Sequence, residues 1–426
     1  MNRTKIAALI AWKGKHNRKP LVLNGARQVG KSWLVKHFGN THFSGKTIII
    51  NFDLQKDIHG IFDKNLDVKR IIFELELVLS IKISITDDLV FFDEIQACPN
   101  ALASLRYFYE EMPALHLIAA GSLLDFEFRN MPFPVGRVDI MALYPLTFYE
   151  FLLARNRDNL AKLLTEPLEN FNETYTQYFE EELNLYMIVG GMPEAVSNFI
   201  KYNDLESVKA IQNNLLYSYE QDFKKYRPVV NSDCLEDILE NIVKLLGNQV
   251  VYTKLSERFT SGTIKKGVDV LKTARILHCV ENVSVAGLPL TKAGKQFKLF
   301  YLDIGLLVRK SNIDYRSLYQ KRALTAAFQG ALAEQFVLQQ LIAKNDIEPK
   351  YWARTEQGTS SEIDFVVVEN GKIIPIEVKA GKSGSLKSLH YLLDHHAHIV
   401  EAVVYSNARL GIDDKVKYVP MIFAGM

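Results

Sequence analysis

Eight residues, Gly25-Ala-Arg-Gln-Val-Gly-Lys-Ser32, have the composition and spacing to hold a chain of phosphates. The glycines let the backbone curl so that successive N–H groups converge on phosphate oxygens. A helix starting directly behind them adds the partial positive charge of its N-terminus. Lys31 would reach the β- and γ-phosphates, and the Ser32 hydroxyl would hold Mg²⁺. Gly25, Arg27, Gln28, Val29, Gly30, Lys31, Ser32 and Trp33 are the candidate nucleotide-binding set. A second group follows the apolar run Leu89-Val90-Phe91-Phe92: Asp93 would hold the Mg²⁺ shell, directly or through water, and Glu94 would orient and polarise the attacking water. Two more residues could serve this chemistry. Ser122 could touch the γ-phosphate or its water, or cap the helix that follows, and Arg137 could act as an arginine finger or sensor.

A further set of charged residues lies near the end of the chain. Glu362 to Val368 and Lys372 to Lys379 read as strands joined at Asn370-Gly371, the strongest short hairpin signal. With those two in the turn, Glu369 opposes Lys372, Asp364 opposes Glu377, and Glu362 opposes Lys379, all on one face. Opposed carboxylates repel unless a cation or solvent lies between them. A divalent metal on Asp364 and Glu377 with Lys379 beside it is the chemistry of phosphodiester cleavage. This is the PD-(D/E)xK nuclease pattern, whose third acid comes from a preceding helix; here Glu334 in Gly330-Ala-Leu-Ala-Glu334 is the candidate. The alternative is a surface hairpin with a Glu362–Lys379 pair and a solvated Asp364.

The elements that must position these groups follow from patterning. Residues 1–150 alternate strand and helix, with strands at Leu21–Asn24, Thr47–Phe52, Leu89–Phe92 and Leu115–Ala120, as a parallel sheet covered by helices requires. Residues 151–204 are helical with a break at Gly190-Gly191-Met192-Pro193, and read as a lid against the nucleotide domain. Residues 205–312 read as a winged helix. Its parts are an amphipathic helix through Leu235, Ile238, Leu239 and Ile242, a short helix at Leu255–Phe259, and a third helix carrying Lys265, Lys266 and Lys272 near Arg275. Strands Ile276–Val280 and Lys298–Leu302 form the wing. The basic cluster suits DNA phosphates; a solvated face of a spacer domain is the other reading. Residues 313–426 form the nuclease-like domain.

Composition sets the bounds. A chain of 426 residues suggests two to four domains, and 48% apolar with 23% charged residues describes an ordinary globular protein. The formal charge of +2 gives no global field for nucleic acid, so any basic surface must be local. Cys98, Cys234 and Cys279 show no metal-ligand spacing and read as reduced thiols of a cytoplasmic protein. No apolar run is long enough to span a bilayer, and Met1 to Lys19 reads as a small docking helix.

The chain resembles a prokaryotic family of AAA-type ATPases that carry a C-terminal domain of unknown function. The signatures are GARQVGKS, FFDEIQ, AAGSLLDF, VGRVDIMALYPLTFYEF, VGGMPEAV, KLFYLDIGLL, GALAEQFVLQQL and SEIDFVV with IPIEVKAG. One departure is the single serine after Gly121, where relatives often show a longer run. The resemblance implies a multidomain α/β protein: an AAA-like core, a winged-helix segment and a restriction-endonuclease-like end domain. It carries Lys31, Ser32, Asp93, Glu94, Arg137, Glu334, Asp364, Glu377 and Lys379 over as site residues. The expectation is an ATP- and Mg²⁺-using ATPase, with Mg²⁺ or Mn²⁺ at the nuclease-like site. DNA is the partner, no membrane is involved, and homo-oligomerisation is open. The alternative is a nucleotide-controlled switch or scaffold whose end domain only binds DNA or a protein. A small-molecule kinase fits less well, because Glu94 beside Asp93 suits water activation.

Overall fold

The computed structural model describes residues 2–121, 134–226, 230–315, 326–346, 348–356, 359–381, 385–406 and 410–426. The chain divides into two compact units, Asn2–Tyr144 and Pro145–Met426.

In the first unit, strands β1 (Leu21–Asn24), β2 (Thr47–Asn51), β3 (Leu89–Asp93), β4 (His116–Gly121) and β5 (Asp139–Ala142) form one sheet in the order β2-β3-β4-β1-β5. All four pairings are parallel. Every residue of β1, β3 and β4 is buried, which is why these strands read as unbroken apolar runs rather than alternations. The edge strand β5 is only partly buried, has only four residues, and is absent from the expected set. Helices Lys31–His42, Val68–Leu79 and Pro99–Glu111 connect the strands. Asp67 caps the second through the amides of Lys69 and Arg70, and Pro99 opens the third. Phe52, Phe62 and Phe92 meet edge to face at 5.4 to 5.7 Å and form the centre of this core. The N-terminal helix Lys5–Lys13 buries Leu9 and Trp12.

The second unit is built on an eight-stranded mixed sheet. Its strands are β6 (Leu277–Ser284), β7 (Thr291–Tyr301), β8 (Lys350–Glu356), β9 (Thr359–Glu369), β10 (Lys372–Lys379), β11 (Ala402–Ser406), β12 (Gly411–Asp413) and β13 (Val416–Val419). Their order is β12-β13-β11-β10-β9-β8-β6-β7. The hairpin β6–β7, expected as the wing of a separate domain, is therefore part of the same sheet as the end-domain strands, joined through Asn282↔Tyr351. The short helix expected at Leu255–Phe259 is not formed; a single 3-10 turn, Tyr252–Lys254, precedes an irregular stretch. There Asp237 holds the chain by side chains instead, accepting from Ser256 Oγ at 2.7 Å and from Arg258 at 2.7 and 2.9 Å.

Helix Ala326–Asn345 organises this unit through three glutamines. Gln335 bonds both main-chain groups of Tyr301. Gln339 accepts from Ile304 N–H and donates to Asp303 and to the Tyr186 hydroxyl. Gln340 accepts from Phe148 N–H and donates to the same hydroxyl. Helices Phe148–Ala154 and Thr176–Val189, part of the segment expected to be a lid, are thus integral to the second unit's core, with Phe148 and Tyr186 packed on Phe336.

Candidate functional site

The phosphate loop leaves β1 at Asn24, beside the end of β4, with Asp93 one strand further along the same carboxyl edge. This is the edge at which parallel α/β sheets place ligands. Gly25 has to be glycine because a Cβ there would lie 2.4 Å from the carbonyl oxygen of Leu143. Gly30, at φ 93°, turns the loop into helix Lys31–His42. Gln28 also takes positive φ, so the turn stores strain in a non-glycine residue. Val29 is buried beneath the loop, Arg27 is half-buried, Gln28 is exposed, and Trp33 stacks on His37 at 4.9 Å.

Lys31 folds over the loop, donating to the carbonyls of Gly25 and Ala26 at 2.8 Å each. Ser32 Oγ donates to Asp93 Oδ1 at 3.0 Å. Burial pushes the Asp93 carboxyl up from its ordinary value, and the Ser32 hydrogen bond partly offsets this. Adjacent oxygens around an octahedral Mg²⁺ lie about 2.9 Å apart, so this hydroxyl and carboxylate suit neighbouring positions on one ion or its water shell. Glu94 sits in left-handed backbone, φ 52° and ψ 44°, and Gln96 Nε2 donates to its carboxylate at 2.5 Å. Left-handed backbone in a glutamate is strained and turns the side chain out of the strand direction.

Two residues expected here lie elsewhere. Ser122 is outside the described residues. Arg137 precedes β5, whose first residue pairs with Leu21 at the start of β1, so it lies at the sheet edge opposite the loop. Its guanidinium is held there by Glu110 at 2.8 Å. Arg137 thus lies away from its own chain's phosphate loop. Conversely, Arg3 was not singled out from sequence, yet its guanidinium donates to the carbonyls of Tyr144 at 2.5 Å and Val29 at 3.5 Å and supports the loop from behind. A lone arginine near an N-terminus carries no sequence signal for that task.

In the second unit, the β9–β10 hairpin turns at Asn370 and Gly371, both with positive φ, and has the expected register from Lys372↔Glu369 to Ile376↔Phe365. One step further the expected pairing gives way. Asp364 Oδ2 accepts the main-chain N–H of Val378 at 2.8 Å, and Lys379 turns to Glu377 on its own strand at 2.5 Å. Glu362 pairs not with Lys379 but with Lys298, and also accepts from Gln249 at 2.6 Å.

Lys298 is the residue that sequence reading missed. It lies on β7, is fully buried, and makes ion pairs to Glu334 at 2.9 Å, to Asp364 at 3.6 Å and to Glu362. Burial pulls its pKa down, but Glu334, Asp364 and Glu362 together raise it above that of an ordinary lysine. Burial pushes Glu334 up, against Lys298; it pushes Glu377 up as well, with the Asp364 charge acting in the same direction. Glu334, Asp364 and Glu377 are thus brought into one cluster, but they do not fit a metal. Among the described residues no three His, Cys, Asp or Glu side chains are grouped so as to hold one. An ammonium occupies the position between Glu334 and Asp364. The signal was a lysine inside the apolar run Phe297-Lys298-Leu299-Phe300-Tyr301, because buried lysines are almost always paired.

Residues 17–152 match the family described as an AAA domain. Residues 180–317 and 329–422 match two families described as domains of unknown function, DUF8612 and DUF4143. No curated protein matches the chain. Among solved structures, the Walker-type ATPase paby2304 of Pyrococcus abyssi is 16% identical, with 72% of this chain and 95% of that one covered at a TM-score of 0.47. AMPPCP-bound DnaA from Aquifex aeolicus is 12% identical, with 64% and 89% covered at 0.29. The Orc1 protein of Aeropyrum pernix in complex with DNA is 14% identical, with 74% and 94% covered at 0.29. The AAA match and the loop geometry together make the first unit a P-loop ATPase core of the AAA type.

Proposed function

We propose that the first unit binds ATP with Mg²⁺ and hydrolyses it, and that turnover is coupled to nucleic-acid engagement by the second unit. The observation that carries the ATPase reading is the 3.0 Å approach of Ser32 Oγ to Asp93 Oδ1 beside Lys31 and Glu94. In this reading Lys31 leaves the carbonyls of Gly25 and Ala26 for the β- and γ-phosphates, while the loop amides hold the phosphate chain. Bound Mg²⁺ supplies neutralisation of charge on the phosphates. Ser32 and Asp93 hold that ion, directly or through water. Glu94 orients a water against the γ-phosphorus; the new P–O bond forms as the bond to the β-phosphate oxygen breaks, releasing ADP and phosphate. Any role for Arg137 would be toward the nucleotide of a second copy.

Nucleic-acid engagement is supported by helix Ser261–Thr273, which exposes Lys265 and Lys266. Cleavage is not part of the proposal, because Glu334, Glu362 and Asp364 are already charge-paired with Lys298 and Glu377 with Lys379. Binding linkage makes the coupling testable in either direction: nucleotide and nucleic acid change each other's affinity by the same factor. The ATPase test is Glu94→Gln, in which ATP binding persists while the hydrolysis rate falls about 10²- to 10⁴-fold. An unchanged rate sinks the assignment of Glu94.

A further inference from the structure

We propose that Lys298 is the resident cation of the end-domain carboxylate cluster, neutralising it as a divalent metal would and keeping such a metal out. From the nuclease-like reading this takes only the identity of the rival cation.

Lys298 is the charged residue in the buried end of β7, and nothing in that apolar strand compensates it. An ammonium taken out of water is costly unless its geometry and partners are good. Here the partners come from two other elements: Glu334 from helix Ala326–Asn345, and Glu362 and Asp364 from β9. The Tyr351 ring lies 5.7 Å from the same nitrogen and adds its face.

The remaining oxygens do not make a second cation site. Asp364 Oδ2 is taken by Val378 N–H, and Glu377 Oε1 by Lys379. Glu377 Oε2 is buried without a hydrogen-bond partner. Divalent ions need several oxygens at about 2.0 to 2.6 Å. Around Lys298 Nζ three carboxylates, from Glu334, Glu362 and Asp364, converge on one ammonium.

The same contacts act as a clamp. Main-chain pairing between β6 and β8 is confined to Asn282↔Tyr351, supplemented by the Asn282 side chain bonding both main-chain groups of Ala353. Lys298 ties β7 to β9 and to the central helix, and Gln249 reinforces it through Glu362. A metal would have to displace this lysine, and so loosen the hairpin, in order to enter.

The test is Mn²⁺ binding to the full-length, nucleotide-free protein, counted by the loss of the free-ion electron paramagnetic resonance signal at millimolar Mn²⁺. Wild type and Asp364→Asn are expected to take up the same amount. Lys298→Met, which keeps the volume and removes the charge, is expected to gain one Mn²⁺ per chain, and adding Asp364→Asn removes it again. Wild-type binding that disappears in Asp364→Asn overturns the proposal, as does a folded Lys298→Met that gains nothing. Should Lys298→Met fail to fold, wild type against Asp364→Asn decides alone. Neither ATP turnover nor nucleic-acid binding enters this readout, so its failure leaves the ATPase reading standing.

Discussion

Individual side chains here are explained by what burial does to charge. His278 on β6 is buried; burial, then Arg275 and Lys272, pulls its pKa down to about 4. A histidine whose folded pKa lies below its unfolded value of about 6.5 binds fewer protons folded than unfolded between those values. Its contribution is therefore fully present above the unfolded value and lost as pH falls toward the folded one. His278→Leu is expected to be less destabilising relative to wild type at pH 5 than at pH 7.5, by roughly 1–3 kcal/mol, in chemical denaturation at each pH. An equal penalty at both pH values contradicts a neutral buried ring. Lys31, Ser32, Asp93 and Glu94 were legible from sequence because motif and strand order coincide there. Lys298 was overlooked because its three acidic partners come from segments far along the chain, and no local spacing records such a meeting.

At the level of elements, glutamine holds the second unit together where leucine would be expected. Gln335, Gln339 and Gln340 on helix Ala326–Asn345 satisfy main-chain groups at the ends of β7 and of two other helices, all in buried surroundings. Gln339→Leu keeps the volume but strands Ile304 N–H and one donor to Asp303. It should cost about 1–3 kcal/mol per group left unsatisfied, read as a lowered denaturation midpoint. A midpoint within error of wild type would show that these bonds contribute nothing net. The long buried strands and the Asn370-Gly371 hairpin were readable from pattern alone. Strands β5, β8, β11, β12 and β13 were not expected; in β5, β12 and β13 three or four residues carry too little periodicity to distinguish a strand from a loop. The expected Leu255–Phe259 helix failed for another reason: Asp237 captures Ser256 and Arg258 from a distant helix, and tertiary contacts override local propensity.

For the molecule as a whole, a formal charge of +2 means that the nucleic-acid binding proposed above must rest on a local surface. Lys265 and Lys266 are exposed on helix Ser261–Thr273. Replacing both with Glu should weaken binding to DNA of any sequence and lower the slope of log K against log salt by about two. Anisotropy titrations over a salt series read both quantities; an unchanged slope would remove this helix from the interface. Among the described residues no helix is long and apolar enough to cross a membrane.

The phosphate loop is the point on which the functional account turns. Isothermal calorimetry of the purified protein with Mg²⁺ and a non-hydrolysable ATP analogue tests it most directly, run in parallel on Lys31→Ala. A saturable, one-to-one heat in wild type that vanishes in the variant is the expected result. No heat in wild type, or equal heat in both proteins, contradicts the assignment of Gly25 to Ser32 as a nucleotide site.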